Sequence, residues 1–196
     1  MNLPNKLTVS RLVLAMLFVV VVFSEMPYRE TVALCLFVAA SLTDYFDGVI
    51  ARRDRLITNF GILMDPLADK ILVCSAFIAF VGLKLIPAWM VVIIVARELA
   101  ITGLRLLAAS KQVVLAAGGY GKHKTASQIV AIIAVLVLLS YQQWGDWSRA
   151  LFGFPIFGTP WVAGFTSLSQ WVAVLLTLFS GSLYLWRNRD IYIRDV

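Results

Sequence analysis

The chain has 196 residues, 61% of them hydrophobic, and a formal net charge of +6. A soluble domain of this length would not need so apolar a composition, so we expect one polytopic membrane domain over residues 1–196. The positive charge does not require a nucleic-acid partner, because no motif for binding RNA or DNA accompanies it and membrane topology with anionic lipid headgroups accounts for it.

Apolar runs long enough to cross a bilayer recur along the chain, and we predict an all-α bundle of six transmembrane helices. The predicted spans are residues 7–24, 31–50, 66–83, 87–109, 125–142 and 161–187. A short interfacial segment, residues 2–11, is predicted to lead into the first span. A signal peptide is disfavoured there, because no small-residue cleavage site follows and five more spans do.

Basic residues cluster at one face of the predicted bundle. The clusters are Lys6 and Arg11; Arg52, Arg53 and Arg55; Lys111, Lys122 and Lys124; and Arg187, Arg189 and Arg194. The opposite loops carry only Arg29, Lys84 and Arg149. The positive-inside rule therefore predicts both termini on the cytoplasmic face of the cell membrane. The stretch 143–160, rich in aromatic residues, glycine and proline, is predicted to be an interfacial loop on the other face.

Four aspartates stand at the facing ends of the second and third predicted spans. Asp44 and Asp47 are i, i+3 neighbours, and Asp65 and Asp69 are i, i+4 neighbours, so each pair shares a helix face. Two carboxylates 4 Å apart repel by about 4 kcal/mol at an effective dielectric constant of 20, so cations are implied. Clustered oxygen ligands favour Mg²⁺, Mn²⁺ or Ca²⁺, and four negative charges balance two divalent ions. This is the composition of a two-metal phosphoryl-transfer site.

The aspartates belong to a longer pattern. It reads Asp44-x-x-Asp47-Gly48-x-x-Ala51-Arg52, a gap of eight residues, and then Gly61-x-x-x-Asp65-x-x-x-Asp69. This pattern, with all eight fixed identities in place, resembles the signature of the CDP-alcohol phosphatidyltransferase family. Length and span number are similar to that family over essentially the whole chain.

The resemblance implies transfer of a phosphatidyl group from CDP-diacylglycerol to an alcohol, with release of CMP, by a homodimeric membrane enzyme. Asp44, Asp47 and Asp65 would hold two divalent ions, Mg²⁺ or Mn²⁺, while Asp69 would complete the metal site and act as general base. A divalent-metal transporter is the alternative class. It is disfavoured because the acids lie at one membrane edge and the spans show no inverted repeat.

Small and basic residues of the motif are predicted to bind CDP-diacylglycerol. Gly48 and Gly61 have no Cβ and Ala51 is small, so a nucleotide diphosphate can lie against the helices. Arg52 offers a planar fork to a phosphate oxygen. The small residues alone are equally typical of close helix packing, and that interpretation stays open.

Further basic residues on the same predicted face point to the acceptor. Arg97, Arg105, Lys122 and Lys124 are predicted to bind the phosphate of a phosphorylated alcohol. Residues 2–8, 97–98 and 121–125 also resemble family members that use glycerol 3-phosphate, which we predict as the acceptor. Inositol phosphate is the chief rival, and inositol, serine and phosphatidylglycerol are further candidates. Arg97 has a second interpretation, as a structural partner of a carboxylate.

Overall fold

The computed structural model describes the backbone of residues 3–54, 59–113, 120–156 and 158–193, and the side chains of residues 9–43, 68, 70–113, 123–156 and 158–192. The long helices in these ranges are α1 (Leu3–Phe23), α2 (Arg29–Asp54), α3 (Asn59–Gly82), α4 (Ala88–Ser110), α5 (Tyr120–Ser140) and α7 (Trp161–Arg187). Between α5 and α7 lie a 3₁₀ turn (Tyr141–Gln143), α6 (Asp146–Phe152) and a hairpin of β1 (Pro155–Ile156) and β2 (Thr159–Pro160), and α8 (Asp190–Ile193) follows α7. Apart from that small hairpin, the all-α prediction is confirmed over the described residues.

The predicted spans coincide best with α4 and α7. Pro87 and Pro160 stand immediately before the first residue of these helices, in extended backbone, and mark a sharp start. The helices nearest the aspartates extend beyond the predicted membrane spans, since α2 continues to Asp54 and α3 begins at Asn59. Pro66 therefore lies inside α3, and the aspartates of both pairs lie on helical backbone.

The predicted N-terminal interfacial segment is helical and continuous with the first predicted span. No boundary separates an interfacial segment from the first span, because α1 runs unbroken from Leu3 to Phe23. Arg11, counted among the residues of that segment, is only 1% exposed. A buried arginine at this position belongs to the interior of the bundle rather than to a membrane surface.

Two helical segments in the described parts of the chain are long and apolar enough to cross a membrane, His123–Gln143 and Trp161–Arg187, and shorter apolar segments are Val9–Phe23 and Lys70–Gly82. The prediction of six spans goes beyond this count. Large apolar side chains also cover the outer surface of the bundle: Met16, Leu99 and Leu168 are 70%, 66% and 62% exposed. Outward apolar surface on several helices is typical of a protein that lies in lipid.

The core lies where α1 packs on α2 and α3, and where α5 packs on α2 and α7. Its fully buried aromatic side chains are Phe18, Phe37, Phe77 and Phe80. Buried alanines such as Ala33, Ala76 and Ala131 alternate with them and allow close approach of the helices. By contrast, α4 packs mainly on α7 and α3, at the side of this core.

The bundle has two ends, which we name by their contents. At the motif end, α2, α4 and α7 finish and α3 and α5 begin. At the loop end, turns join α1 to α2 and α3 to α4, and the segment with α6 and the hairpin joins α5 to α7. The aspartate motif lies at the motif end, and the aromatic segment lies at the loop end.

Candidate active site

The aspartate motif spans the final turns of α2 and the first turns of α3. Its side chains lie outside the described residues, as do those of the predicted nucleotide-binding positions; these residues are Asp44, Asp47, Asp65, Asp69, Gly48, Ala51, Arg52 and Gly61. Their metal-binding and nucleotide-binding roles therefore stay predictions. The donor set itself, four carboxylates on two consecutive helices, is of the kind that holds hard divalent ions.

Next to the motif, Glu98 forms the centre of a buried ionic cluster. Its Oε1 accepts a hydrogen bond from the Lys124 amine on α5, and the Arg97 Nη1 lies 3.5 Å from the same oxygen. The side chains of Glu98 and Lys124 are 7% and 5% exposed. Removing one partner from such a buried pair costs about 3–5 kcal/mol, because the other charge is left uncompensated. Two cations converge on one carboxylate here, so these three side chains carry a net positive charge.

A hydrogen-bonded chain connects this cluster to the motif helix. The Thr102 hydroxyl donates to the main-chain carbonyl of Glu98 at 2.7 Å, and the Lys70 amine on α3 donates to the Thr102 hydroxyl. Lys70 directly follows Asp69 in the sequence. The last aspartate of the motif is therefore one residue away from a lysine that joins α3 to the Glu98 cluster.

Arg97 lies between Glu98 and α7. Its side chain is 15% exposed, and its Nε is a buried donor for which no hydrogen-bond acceptor is present in the described part of the chain. A Cβ placed on Gly181 of α7 would come within 2.6 Å of the Arg97 Cγ. The interpretation of Arg97 as a structural partner of a carboxylate finds support, because Nη1 lies 3.5 Å from the Glu98 Oε1, whereas its binding of the acceptor phosphate stays a prediction.

Arg105, eight residues further along α4, is exposed and held by a different contact. Its Nε donates to the Tyr184 hydroxyl at 3.4 Å, and its guanidinium carbon lies 5.6 Å from the centre of the Tyr184 ring. Tyr184 follows Gly181 by three residues, so one face of α7 contacts both arginines of α4. The spacing separates the two arginine Cα atoms by about 12 Å along the helix.

The structure thus groups some of the predicted acceptor-binding residues and separates others. Arg97 and Lys124 meet at Glu98, whereas Arg105 stands nearer the motif end with Tyr184. Lys122 lies on the first turn of α5, and its side chain is outside the described residues.

Sequence reasoning missed the partners of these cations. Glu98 accepts a hydrogen bond from Lys124, Gly181 makes room for Arg97, and Tyr184 accepts from Arg105. Lys70 and Thr102 form the hydrogen-bonded chain to the main-chain carbonyl of Glu98. A signal existed for two of them, because Glu98 and Lys70 are charged residues inside otherwise apolar runs and such residues require partners. Nothing in the pattern pointed to Gly181 or Tyr184, whose roles depend on how α7 packs against α4.

Comparison with known proteins gives concordant results. Residues 1–179 match the sequence model of the family described as CDP-alcohol phosphatidyltransferase. The chain is 40% identical to the CDP-diacylglycerol–glycerol-3-phosphate 3-phosphatidyltransferase of Bacillus subtilis (strain 168), over 95% of each chain. It is 37% identical to the probable phosphatidylglycerophosphate synthase of Mycobacterium tuberculosis (strain H37Rv), over 97% of this chain and 83% of the relative. It is 32% identical to the CDP-diacylglycerol–glycerol-3-phosphate 3-phosphatidyltransferase of Rickettsia bellii (strain RML369-C), over 93% of each chain.

Proposed function

This chain belongs to the CDP-alcohol phosphatidyltransferase family, and from that premise we propose that it transfers the phosphatidyl group of CDP-diacylglycerol to sn-glycerol 3-phosphate, giving phosphatidylglycerophosphate and CMP. The observation that carries the acceptor assignment is the similarity, over 95% of the chain, to a relative named for that acceptor. The buried cations beside the motif support the same assignment, since a phosphorylated acceptor needs positive charge of its own.

We propose that Asp44, Asp47, Asp65 and Asp69 together bind two divalent ions, Mg²⁺ or Mn²⁺. When bound, the ions supply charge neutralisation to the diphosphate of the substrate and to the departing CMP. The small residues Gly48, Ala51 and Gly61 let the nucleotide lie close to the helices, and Arg52 binds a phosphate oxygen.

In the transfer step, Asp69 accepts the proton of the acceptor hydroxyl. The acceptor oxygen forms a bond to the lipid-side phosphorus while the bond from that phosphorus to the bridging oxygen breaks, and CMP leaves. Arg97 and Arg105 hold the phosphate of glycerol 3-phosphate, with Lys122 and Lys124 contributing charge. Of the described groups, the exposed Arg105 guanidinium is best placed to bind it, because the Lys124 amine already donates to Glu98 and the Arg97 Nε is buried.

The direct test uses purified full-length protein with CDP-diacylglycerol and each acceptor in turn. We expect glycerol 3-phosphate to give the highest kcat/KM for CMP release among glycerol 3-phosphate, inositol phosphate, inositol, serine and phosphatidylglycerol. We also expect excess EDTA to stop the reaction. A higher kcat/KM with another acceptor would overturn the acceptor assignment, and full activity in EDTA would overturn the metal assignment.

We further propose that the six long helices all span the membrane of a homodimeric protein, with both termini and the motif end on the cytoplasmic side. The apolar outer surface and the basic residues at the motif end support this arrangement. Single cysteines in a background without Cys35 and Cys74 test the topology. An impermeant reagent applied to intact cells should label Thr159→Cys at the loop end and spare Arg55→Cys, and the reverse pattern would contradict it.

A further inference from the structure

Gly181 of α7 lies against the Arg97 side chain, in a contact that leaves no room for a larger residue. A Cβ at this position would come within 2.6 Å of the Arg97 Cγ and 3.6 Å of its Nε. The Cγ is the second carbon of the side chain, so it cannot move aside as the flexible tip of an arginine can. Any side chain at position 181 would therefore force Arg97 into another rotamer.

The same helix offers a contrast. Gly164 is also on α7, near the loop end, and a Cβ there would meet nothing within 4 Å. The two glycines share a helix and a residue type but differ in what surrounds them. Of these two glycines, only Gly181 lies where a Cβ would clash with a neighbouring side chain.

Two further contacts fix the position of Gly181 relative to Arg97. The Gln128 amide on α5 donates to the Thr177 hydroxyl at 3.0 Å, and both side chains are buried. Thr177 is one helical turn before Gly181, so this bond holds the rotation of α7 where the glycine faces α4. At its other end, the Arg97 guanidinium is oriented by Glu98, which Lys124 holds in turn.

We propose that Gly181 is a positioning residue for substrate binding: it lets the Arg97 side chain lie flat against α7, so that Nη1 stays beside Glu98 and the guanidinium keeps the orientation in which it meets a phosphate oxygen of the substrate. This inference rests on the proposed function. Gly181 lies beyond residues 1–179, the part that matches the family model, so the family pattern does not assign it a role. The phosphate belongs either to the acceptor alcohol or to the diphosphate of CDP-diacylglycerol.

Close packing of α4 on α7 is the competing reason for a glycine here, and kinetics separate the two. In Gly181→Ala the KM of one phosphate-bearing substrate should rise on the order of tenfold to a hundredfold, the effect expected when one charge-assisted hydrogen bond is lost. The substrate whose KM rises is the one whose phosphate group Arg97 binds. Gly164→Ala should leave KM and kcat unchanged.

A double-variant cycle keeps the proposal testable even if Gly181→Ala lowers stability. In Arg97→Ala the Cγ is absent, so adding Gly181→Ala should change KM no further. The positioning role is wrong if both KM values in Gly181→Ala equal those of Gly164→Ala, or if the KM effects of Gly181→Ala and Arg97→Ala multiply. Failure of the proposed function itself would instead be seen in the wild type, as no CMP release with glycerol 3-phosphate.

Discussion

The two ends of the bundle treat charge in opposite ways. At the motif end, two cations converge on Glu98 inside the protein, and the Arg97 Nε has no acceptor in the described part of the chain. At the loop end, Glu30 accepts hydrogen bonds from the Arg29 Nε at 2.9 Å and from the Gln143 amide at 2.8 Å. Charged groups are thus buried inside the protein at the end where a charged ligand is proposed to bind, whereas at the loop end they lie in partly exposed pairs that hold the fold.

Aromatic contacts reinforce the loop end. The rings of Trp144 and Trp147 stack with centres 6.3 Å apart, and the Trp144 indole N–H donates to the Thr31 hydroxyl at 2.9 Å. The Trp161 indole N–H donates to the Leu151 carbonyl at 2.6 Å. Tryptophans with an apolar body and one satisfied donor are typical of a membrane interface. Substitutions at this end should therefore alter stability, whereas those at the motif end should alter catalysis.

The largest effect is expected from the motif aspartates. Asp44→Asn or Asp65→Asn should lower CMP release by on the order of a thousandfold, because a metal site provides several kcal/mol of charge stabilisation. Asp146→Asn is the matched control, since its carboxylate lies exposed on α6 at the loop end. Comparable activity of Asp44→Asn and Asp146→Asn would remove the metal site from the mechanism.

The next largest effect is expected at Asp69. Asp69→Asn should reduce kcat at least about a hundredfold, the usual contribution of a general base, while CDP-diacylglycerol binding changes much less. Single-turnover CMP release and equilibrium binding of the lipid substrate measure the two quantities separately. Near-normal turnover of this variant would transfer the base role to another group.

A smaller effect should come from Arg105. Arg105→Ala should raise the KM for glycerol 3-phosphate roughly tenfold, with the CDP-diacylglycerol KM nearly unchanged. Tyr184→Phe, which keeps the ring and removes the hydroxyl that accepts from Arg105, should shift the KM in the same direction by less. Arg149→Ala, at the loop end, is the control. If Arg105→Ala and Arg149→Ala give the same KM, Arg105 does not bind the acceptor.

The smallest effect, and one on stability alone, is expected at Glu30. Burial raises the pKa of this carboxyl, but the hydrogen bonds from Arg29 and Gln143 outweigh it and place the pKa below its ordinary value. The stabilisation is therefore present above the pKa of the unfolded state and is lost as the pH falls through the folded-state pKa. Glu30→Gln should lower the free energy of unfolding by less than about 1 kcal/mol at neutral pH, which is measured as a slightly lower Tm, and the Tm values of variant and wild type should converge in acid. Altered kcat/KM in this variant would contradict the division between the two ends.

How far the sequence predicts this molecule depends on the range of the interactions involved. The starts of α4 and α7 were predictable, because Pro87 and Pro160 act locally. The 3₁₀ turn, α6 and the hairpin were not predictable in the same way. Their conformation depends on contacts between residues that are distant in sequence, such as the hydrogen bond from Trp144 to Thr31. The continuation of α2 to Asp54 lies beyond the predicted span, because hydropathy measures membrane depth rather than helix length.

The candidate site divides in the same way. The identities of the aspartate motif could be read from spacing, since pairs at i, i+3 and i, i+4 share a face whatever the tertiary fold. The pairing of Lys124 with Glu98 and the fit of Arg97 against Gly181 required knowledge of which helices are neighbours. From sequence alone, the statement that a buried lysine needs a partner is therefore better supported than the statement that the partner is a ligand.

The Glu98–Lys124 pair has a consequence for how the protein enters the bilayer. With Arg97, Glu98 and Arg105, α4 is not among the helices apolar enough, in the described ranges, to cross a membrane unaided, while α5 contains one that is. A charge at the centre of a lone membrane helix costs roughly 2.5 to 3.5 kcal/mol. For Glu98, Arg97 of the same helix offsets part of that penalty, and Lys124 of α5 supplies the second cation. If α4 spans the membrane as proposed, we expect the insertion machinery to retain it until α5 has been synthesised, so that the two helices pass into lipid together.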